Sequence, residues 1–198
     1  MSDASIEYYE KYADEFVYST LNADMSRLYW EFEKHLLAKC RILDLGCGSG
    51  RDSRYFSEKG YKVVAVDPSS AMCKKTREIA KVPVLKRKVE DLDFENEFDA
   101  VWACASLLHL PRDKQYDALK VISRALKGNG IAYCSWKYGD GERCDNGRKF
   151  TDMNKELVYT LVDRIPEFII LKIWITVDVR NSENSQQWIN ILLAKNTK

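Results

Sequence analysis

Between residues 41 and 138, short apolar runs alternate with stretches of helical spacing, and few folds accept that pattern. RILDL (41–45), KVVAVD (62–67), VPVLKRKV (82–89), EFDAVWACAS (97–106) and IAYCSWKY (131–138) read as strands. Between them, GRDSRYFSEKG (50–60), PSSAMCKKTREIA (68–80) and RDKQYDALKVISRALKGNG (112–130) read as helices. Gly60 is a helix stop, and Pro68 with Ser69 suits a helix start. In the third helix Val121, Ile122, Ala125 and Leu126 share a face, and Gly128 and Gly130 punctuate its end. The alternation predicts an α/β fold, a mostly parallel sheet with helices on both faces. A helix near 152–164 then precedes FIILKIWITVDV (168–179) and QWINILLAK (187–195). Two strands in succession predict a hairpin-like end to the sheet, with one strand antiparallel.

Composition narrows the setting. The 198 residues suffice for one domain with a sizeable core and are short for two. Basic and acidic residues nearly cancel, 31 against 30, which disfavours extended contact with nucleic acid without excluding a local patch. The six cysteines form no CxxC pair and there are two histidines, so no metal site is expected and the thiols read as reduced and partly buried. The first residues, MSDASIEYYEKYADEF, are acidic and lack the apolar run of a signal peptide, and no segment has the length of a membrane span. The default location is cytoplasmic. The sequence carries no oligomer signal.

RILDLGCGSGRD (41–52) places three glycines directly after a strand. Glycines there let a backbone approach a ligand closely. Dinucleotide sites space them GxGxxG; here Gly46, Gly48 and Gly50 give GxGxG, and Arg51 stands where the third dinucleotide glycine would. Asp44 before the turn would repel a pyrophosphate but suits an ammonium group; it also reads as a cap for the turn. Asp67 ends the second strand, where an acid accepts hydrogen bonds from ribose hydroxyls. A ligand with a ribose, an amino-acid ammonium and no phosphate fits, and S-adenosylmethionine (SAM) is one. Arg51 and Asp52 also read as ordinary first-turn residues.

LDLGCGSGRD followed by VVAVDPSSAM resembles the first two motifs of class I SAM-dependent methyltransferases. VEDLDFENEFDAVWACASLLHL resembles their acidic adenine-binding turn and fourth strand, and ALKGNGIAYCSW the approach to their fifth strand. The short chain and its YYEKYADEF start are similar to small bacterial methyltransferases of the tellurite-resistance type. The resemblance spans roughly residues 38–195. It implies a Rossmann-like seven-stranded sheet ordered 3-2-1-4-5-7-6, the seventh strand antiparallel. It also implies one domain, with a helical lid over 1–38 and a SAM-binding core over 39–198. By position, Asp44, Gly46, Cys47 and Gly48 would form the methionine end and Asp67 would hold the ribose. Pro68, Ser69 and Met72 would lie beside the adenosine, Val89 and Glu90 against the adenine, and Ala103 and Cys104 under the methionine portion. Lys88 departs from the family, standing where many members carry an acid. Cys47 and Cys104 read as small packing residues rather than nucleophiles.

The acceptor site should lie over the carboxyl ends of the strands. Tyr8, Tyr9 and Tyr12 read as a lid against the sulfonium or as a core stripe. His109 reads as a base or as a structural histidine. The polar loop 136–152, with Lys137, Arg143, Arg148 and Lys149, reads as an anion-recognising loop or a solvated one. Arg180 and Trp188 flank the final turn and reach the same region. The expected activity is methyl transfer to a small-molecule acceptor, with His109 and Tyr12 as candidate catalytic residues and Tyr8, Tyr9, Lys137, Arg148 and Arg180 as candidate acceptor contacts. Alternatives are an RNA or protein methyltransferase and a SAM-binding sensor or partner subunit without activity. A nicotinamide-dependent oxidoreductase is disfavoured by the glycine spacing.

Overall fold

The computed structural model describes residues 3–180 and 186–196. Its strands are β1 (Arg41–Leu45), β2 (Lys62–Asp67), β3 (Val84–Lys86), β4 (Phe98–Ala103), β5 (Leu126–Lys137), β6 (Glu142–Asp145), β7 (Arg148–Thr151), β8 (Phe168–Val177) and β9 (Gln187–Lys195). Its helices are α1 (Asp3–Lys11), α2 (Ala13–Thr20), α3 (Ser26–Glu33), α4 (Arg51–Glu58), α5 (Ser70–Ala80), α6 (Gln115–Ala125) and α7 (Lys155–Asp163). Seven strands form one sheet in the order β3-β2-β1-β4-β5-β9-β8, and β6 pairs with β7 in a separate hairpin. β9 runs antiparallel to both of its neighbours, and the other pairings in the sheet are parallel. With the β6–β7 hairpin set aside, this is the predicted order, 3-2-1-4-5-7-6, with its last strand reversed.

The two-residue period of the strands sorts their side chains between two layers. Leu43, Leu45, Val101, Ala103, Ala132 and Cys134 pack with Leu119 and Ile122 of α6 and Val158 and Val162 of α7. The alternate residues Ile42, Ala100, Trp102 and Tyr133 pack with Leu28, Tyr29 and Phe32 of α3 and Phe56 of α4. Trp102 stacks on Tyr133 at 4.0 Å, and Phe32 and Phe56 close around them. The N-terminal aromatics therefore divide. Tyr29 and Phe32 belong to the core, whereas Tyr18 is 90% and Trp30 63% exposed.

Three elements differ from the sequence reading. α6 ends at Ala125, not near Gly130, and Leu126 already pairs with Phe98. The register shift between Phe98 and Ala100, with Asn129 at φ 62°, makes a bulge there. Gly128 and Gly130 therefore lie within a strand. β3 is an edge strand bonded to β2 and stops at Lys86, so Val89 falls in a short 3-10 turn, Val89–Asp91. The loop expected at 136–152 contains the β6–β7 hairpin. Its two turn residues, Asn146 (φ 50°) and Gly147 (φ 78°), carry the positive angles that two-residue hairpins require.

Candidate functional site

A cavity of about 230 Å³ opens at the carboxyl ends of the parallel strands. Its floor is the turn after β1. The Gly46 and Cys47 N–H groups donate to the Val66 carbonyl at 2.8 and 3.0 Å, which ties the turn to β2. Gly46 has φ +80°, and a Cβ there would sit 2.2 Å from the Ser106 Cβ. Only glycine lets the turn lie this close to the chain after β4. Gly50, left-handed at φ 78°, starts α4.

Asp67 joins the turn to α5. One carboxylate oxygen accepts the Gly48 N–H at 3.0 Å and the other the Ser69 N–H at 2.9 Å. The Ser69 hydroxyl in turn accepts the Met72 N–H at 3.2 Å and caps α5. A carboxylate accepts about four hydrogen bonds, so about two positions on Asp67 remain for a ligand in the cavity it lines. Burial pushes the Asp67 carboxyl up to about 6, against the lowering effect of the two N–H donors.

Asp44 lies beneath the floor. It is 1% exposed and accepts the Ser53 hydroxyl at 2.5 Å. Burial, then the Asp52 charge, raises its carboxyl well above the ordinary range. Asp52 is saturated by four donors, accepting from the Tyr29 hydroxyl at 2.5 Å, Arg51 Nε at 2.6 Å, Trp102 Nε1 at 2.8 Å and Arg51 Nη2 at 2.9 Å. Burial works to raise Asp52, yet Arg51 and these donors bring it below the ordinary carboxylate range. Arg51 lines the cavity with its charge already matched.

His109, also in the cavity lining, takes part in a chain of hydrogen bonds. Its Nδ1 lies 2.8 Å from the Lys149 carbonyl, which can only accept, so Nδ1 carries the proton. Nε2 then accepts from the Tyr9 hydroxyl at 2.9 Å. Burial lowers His109 to about 4 and raises Tyr9 to about 12, so both are neutral near pH 7. Tyr9→Phe leaves Nε2 buried without its donor and should cost about 1–2 kcal/mol in urea denaturation. A variant as stable as the parent would show that this bond contributes nothing.

Of the residues expected around the cofactor, Gly46, Cys47, Gly48, Asp67, Met72 and Cys104 line the cavity. Asp44, Pro68, Ser69, Val89, Glu90 and Ala103 do not. Asp44 and Ser69 support residues that do. Val89 and Glu90 lie in the 3-10 turn after β3, beside the Lys88–Asp3 ion pair at 2.9 Å, and Val89 packs against the core. Of the residues expected around the acceptor, Tyr9, His109, Lys137, Arg148 and Arg180 line the cavity and Tyr8 and Tyr12 do not. The helix breaks between α1 and α2 at Tyr12, which leaves that side chain 37% exposed against Tyr8. Tyr8 lies under the Arg148 guanidinium, 4.3 Å from ring centre to Cζ.

The sequence reading did not single out Phe16, Ser106, Ser135 or Asp178, which also line the cavity. The Ser106 hydroxyl is buried without a hydrogen-bond partner among the described residues. Its position just after β4, at the carboxyl edge of the sheet, was the available signal. Among the described residues no cluster of histidine, cysteine and carboxylate side chains could hold a metal, and no helix is long and apolar enough to cross a membrane.

Residues 42–130 match the family model described as "Methyltransferase domain". The cypemycin N-terminal methyltransferase of a Streptomyces species is 33% identical over 141 residues, 67% of this chain and 57% of the relative. This chain spans about half the length of such curated relatives. The Burkholderia thailandensis 1,6-didemethyltoxoflavin-N1-methyltransferase, solved with 1,6-didemethyltoxoflavin and S-adenosylhomocysteine, shares the fold at a TM-score of 0.71 and 23% identity, over 100% of this chain and 92% of that one. The [4+2]-cyclase SpnF shares it at 0.74 and 15% identity, over 98% of this chain and 97% of that one.

Proposed function

The chain belongs, through residues 42–130, to the class I SAM-dependent methyltransferases, and on that premise we propose that it binds SAM in this cavity and methylates a small molecule. The observation that carries the reading is Asp67, fixed by two backbone donors in the lining of the cavity. Two ribose hydroxyls match its remaining acceptor positions. The unpartnered Ser106 hydroxyl and the Gly46–Gly48 backbone suit the amino-acid end, and Met72 suits the adenosine. S-adenosylhomocysteine and a small acceptor occupy the Burkholderia relative, which supports both assignments.

SAM, when bound, supplies a methyl group on a sulfonium whose departure needs no covalent intermediate. The protein's part is then alignment and exclusion of water. α1 and α2 serve as the lid. Tyr9 and Phe16 face inward, and Glu10 accepts from the Ser70 and Ala71 N–H groups at the start of α5, pinning the lid beside Asp67. Where the acceptor must lose a proton, it passes to the Tyr9 oxygen while the Tyr9 proton moves to His109 Nε2, and the Lys149 carbonyl holds Nδ1–H throughout. Tyr9, rather than Tyr12, is the residue assigned this role.

Titration calorimetry with S-adenosylhomocysteine tests the cofactor, with binding expected at micromolar strength. Silence there, with tight binding of NAD, sinks the reading. Acceptor-dependent release of S-adenosylhomocysteine in a metabolite screen tests the reaction. Binding without turnover against any acceptor leaves a SAM-binding sensor or partner subunit instead.

A further inference from the structure

Four cations line the cavity, and their charges are not equally matched. Arg51 is paired with Asp52, and Arg180 with Asp178 through bonds of 2.9 and 2.5 Å. The third lining carboxylate, Asp67, is bonded to the glycine turn. Lys137 and Arg148 are left over. Lys137 makes no ion pair among the described residues and sits 4.3 Å above the centre of the Phe150 ring. Arg148 approaches the same ring at 5.1 Å. Its one carboxylate, Asp145, is 3.8 Å away and half exposed, a contact of little strength. The Arg148 Nε is buried with no acceptor among the described residues. Neighbouring Arg143 is taken by Asp152.

A buried guanidinium nitrogen without an acceptor is costly unless a ligand supplies one. Burial, then the charges of Arg143 and Arg148, lowers the proton affinity of Lys137. An anion between the two cations relieves both conditions. The lysine offers a point charge, the guanidinium a fork that matches oxyanion geometry, and Phe150 an apolar floor.

We propose that the methyl acceptor carries an oxyanion, a carboxylate or phosphate group, that is held by Lys137 and Arg148 over Phe150. Arg180, already neutralised by Asp178, is outside this subsite. The inference rests on the cavity being the site of methyl transfer, but the anion contact itself can be measured separately.

The test titrates the full chain by NMR with benzoate, phenyl phosphate and neutral benzamide, with and without S-adenosylhomocysteine. At least one anion should bind about tenfold more tightly than benzamide, the scale of one charge-assisted contact. Its identity separates carboxylate from phosphate. Added salt should weaken the anion and leave benzamide unchanged. Lys137→Gln and Arg148→Gln should each weaken the anion about tenfold, with S-adenosylhomocysteine affinity retained. Equal affinity for benzamide and both anions, or salt-insensitive anion binding in the unaltered protein, overturns the subsite. Anion binding without any binding of S-adenosylhomocysteine supports the subsite while refuting the cofactor assignment.

Discussion

Gly46→Ala should cost the fold about 2–5 kcal/mol and remove S-adenosylhomocysteine binding. Two effects add. A side chain at φ +80° costs about 1–2 kcal/mol. The new methyl would stand 2.2 Å from the Ser106 Cβ, and relieving that overlap costs about 1–3 kcal/mol more. Neither neighbour gives easily, because Gly46 and Cys47 are bonded to Val66, and the segment leading to Ser106 is tied by the Ala105 N–H, which donates to the Ser135 hydroxyl. Adding Ser106→Gly should recover the overlap cost and leave the cost of the backbone angle. Urea denaturation of the single and double variants separates the two contributions. A single variant within about 1 kcal/mol of the parent would mean that the turn relaxes freely, and close approach of the chains would not explain the glycine.

Asp67→Ala should weaken S-adenosylhomocysteine binding by about 1–3 kcal/mol, the scale of charge-assisted hydrogen bonds. It also strips acceptors from the Gly48 and Ser69 N–H groups, so affinity must be measured on protein shown to be folded. Asp67→Asn keeps the shape and provides a second variant, because the carboxylate leaves a signature in pH. Burial raises the Asp67 carboxyl from 3.8 to about 6 in the folded protein. The folded state therefore holds this proton more tightly than the unfolded chain, and this group's contribution to stability declines as pH rises from about 4 to 6. Ribose hydroxyls donate to the ionised form, so ligand binding has the opposite slope. Affinity should fall about tenfold per pH unit below about 6, with a proton released on binding. Calorimetry in buffers of different ionisation enthalpy reads that proton. If Asp67→Asn keeps both the affinity and the acid-side loss, Asp67 does not hold the ligand.

The glycine turn shows what was legible. Gly46, Gly48 and Asp67 are near one another because β1 and β2 are adjacent parallel strands, an adjacency that the resemblance to the family implied. The hairpin at 142–151 was legible too, through the Asn146–Gly147 pair, but length and polarity favoured a loop reading. The acceptor residues were harder. Tyr8, Tyr9 and Tyr12 read as one group, yet the break between α1 and α2 turns Tyr12 outward and leaves Tyr9 on His109. The partner of His109 is 100 residues away along the chain, and no local pattern encodes such a distance.

Sequence alone determined the alternation of strands and helices and the floor of the cavity, and the resemblance to a known family implied the strand order. The first two follow from short apolar runs, helical spacing and glycines at fixed offsets, all of which act over short stretches of chain. The tertiary structure decided which charges are spent. Arg51, Arg143 and Arg180 stand beside Asp52, Asp152 and Asp178, whereas Lys137 and Arg148 face the cavity with charge to spare. Composition counts charges without pairing them. Coulomb energy depends on separation and burial, and only the folded chain sets those.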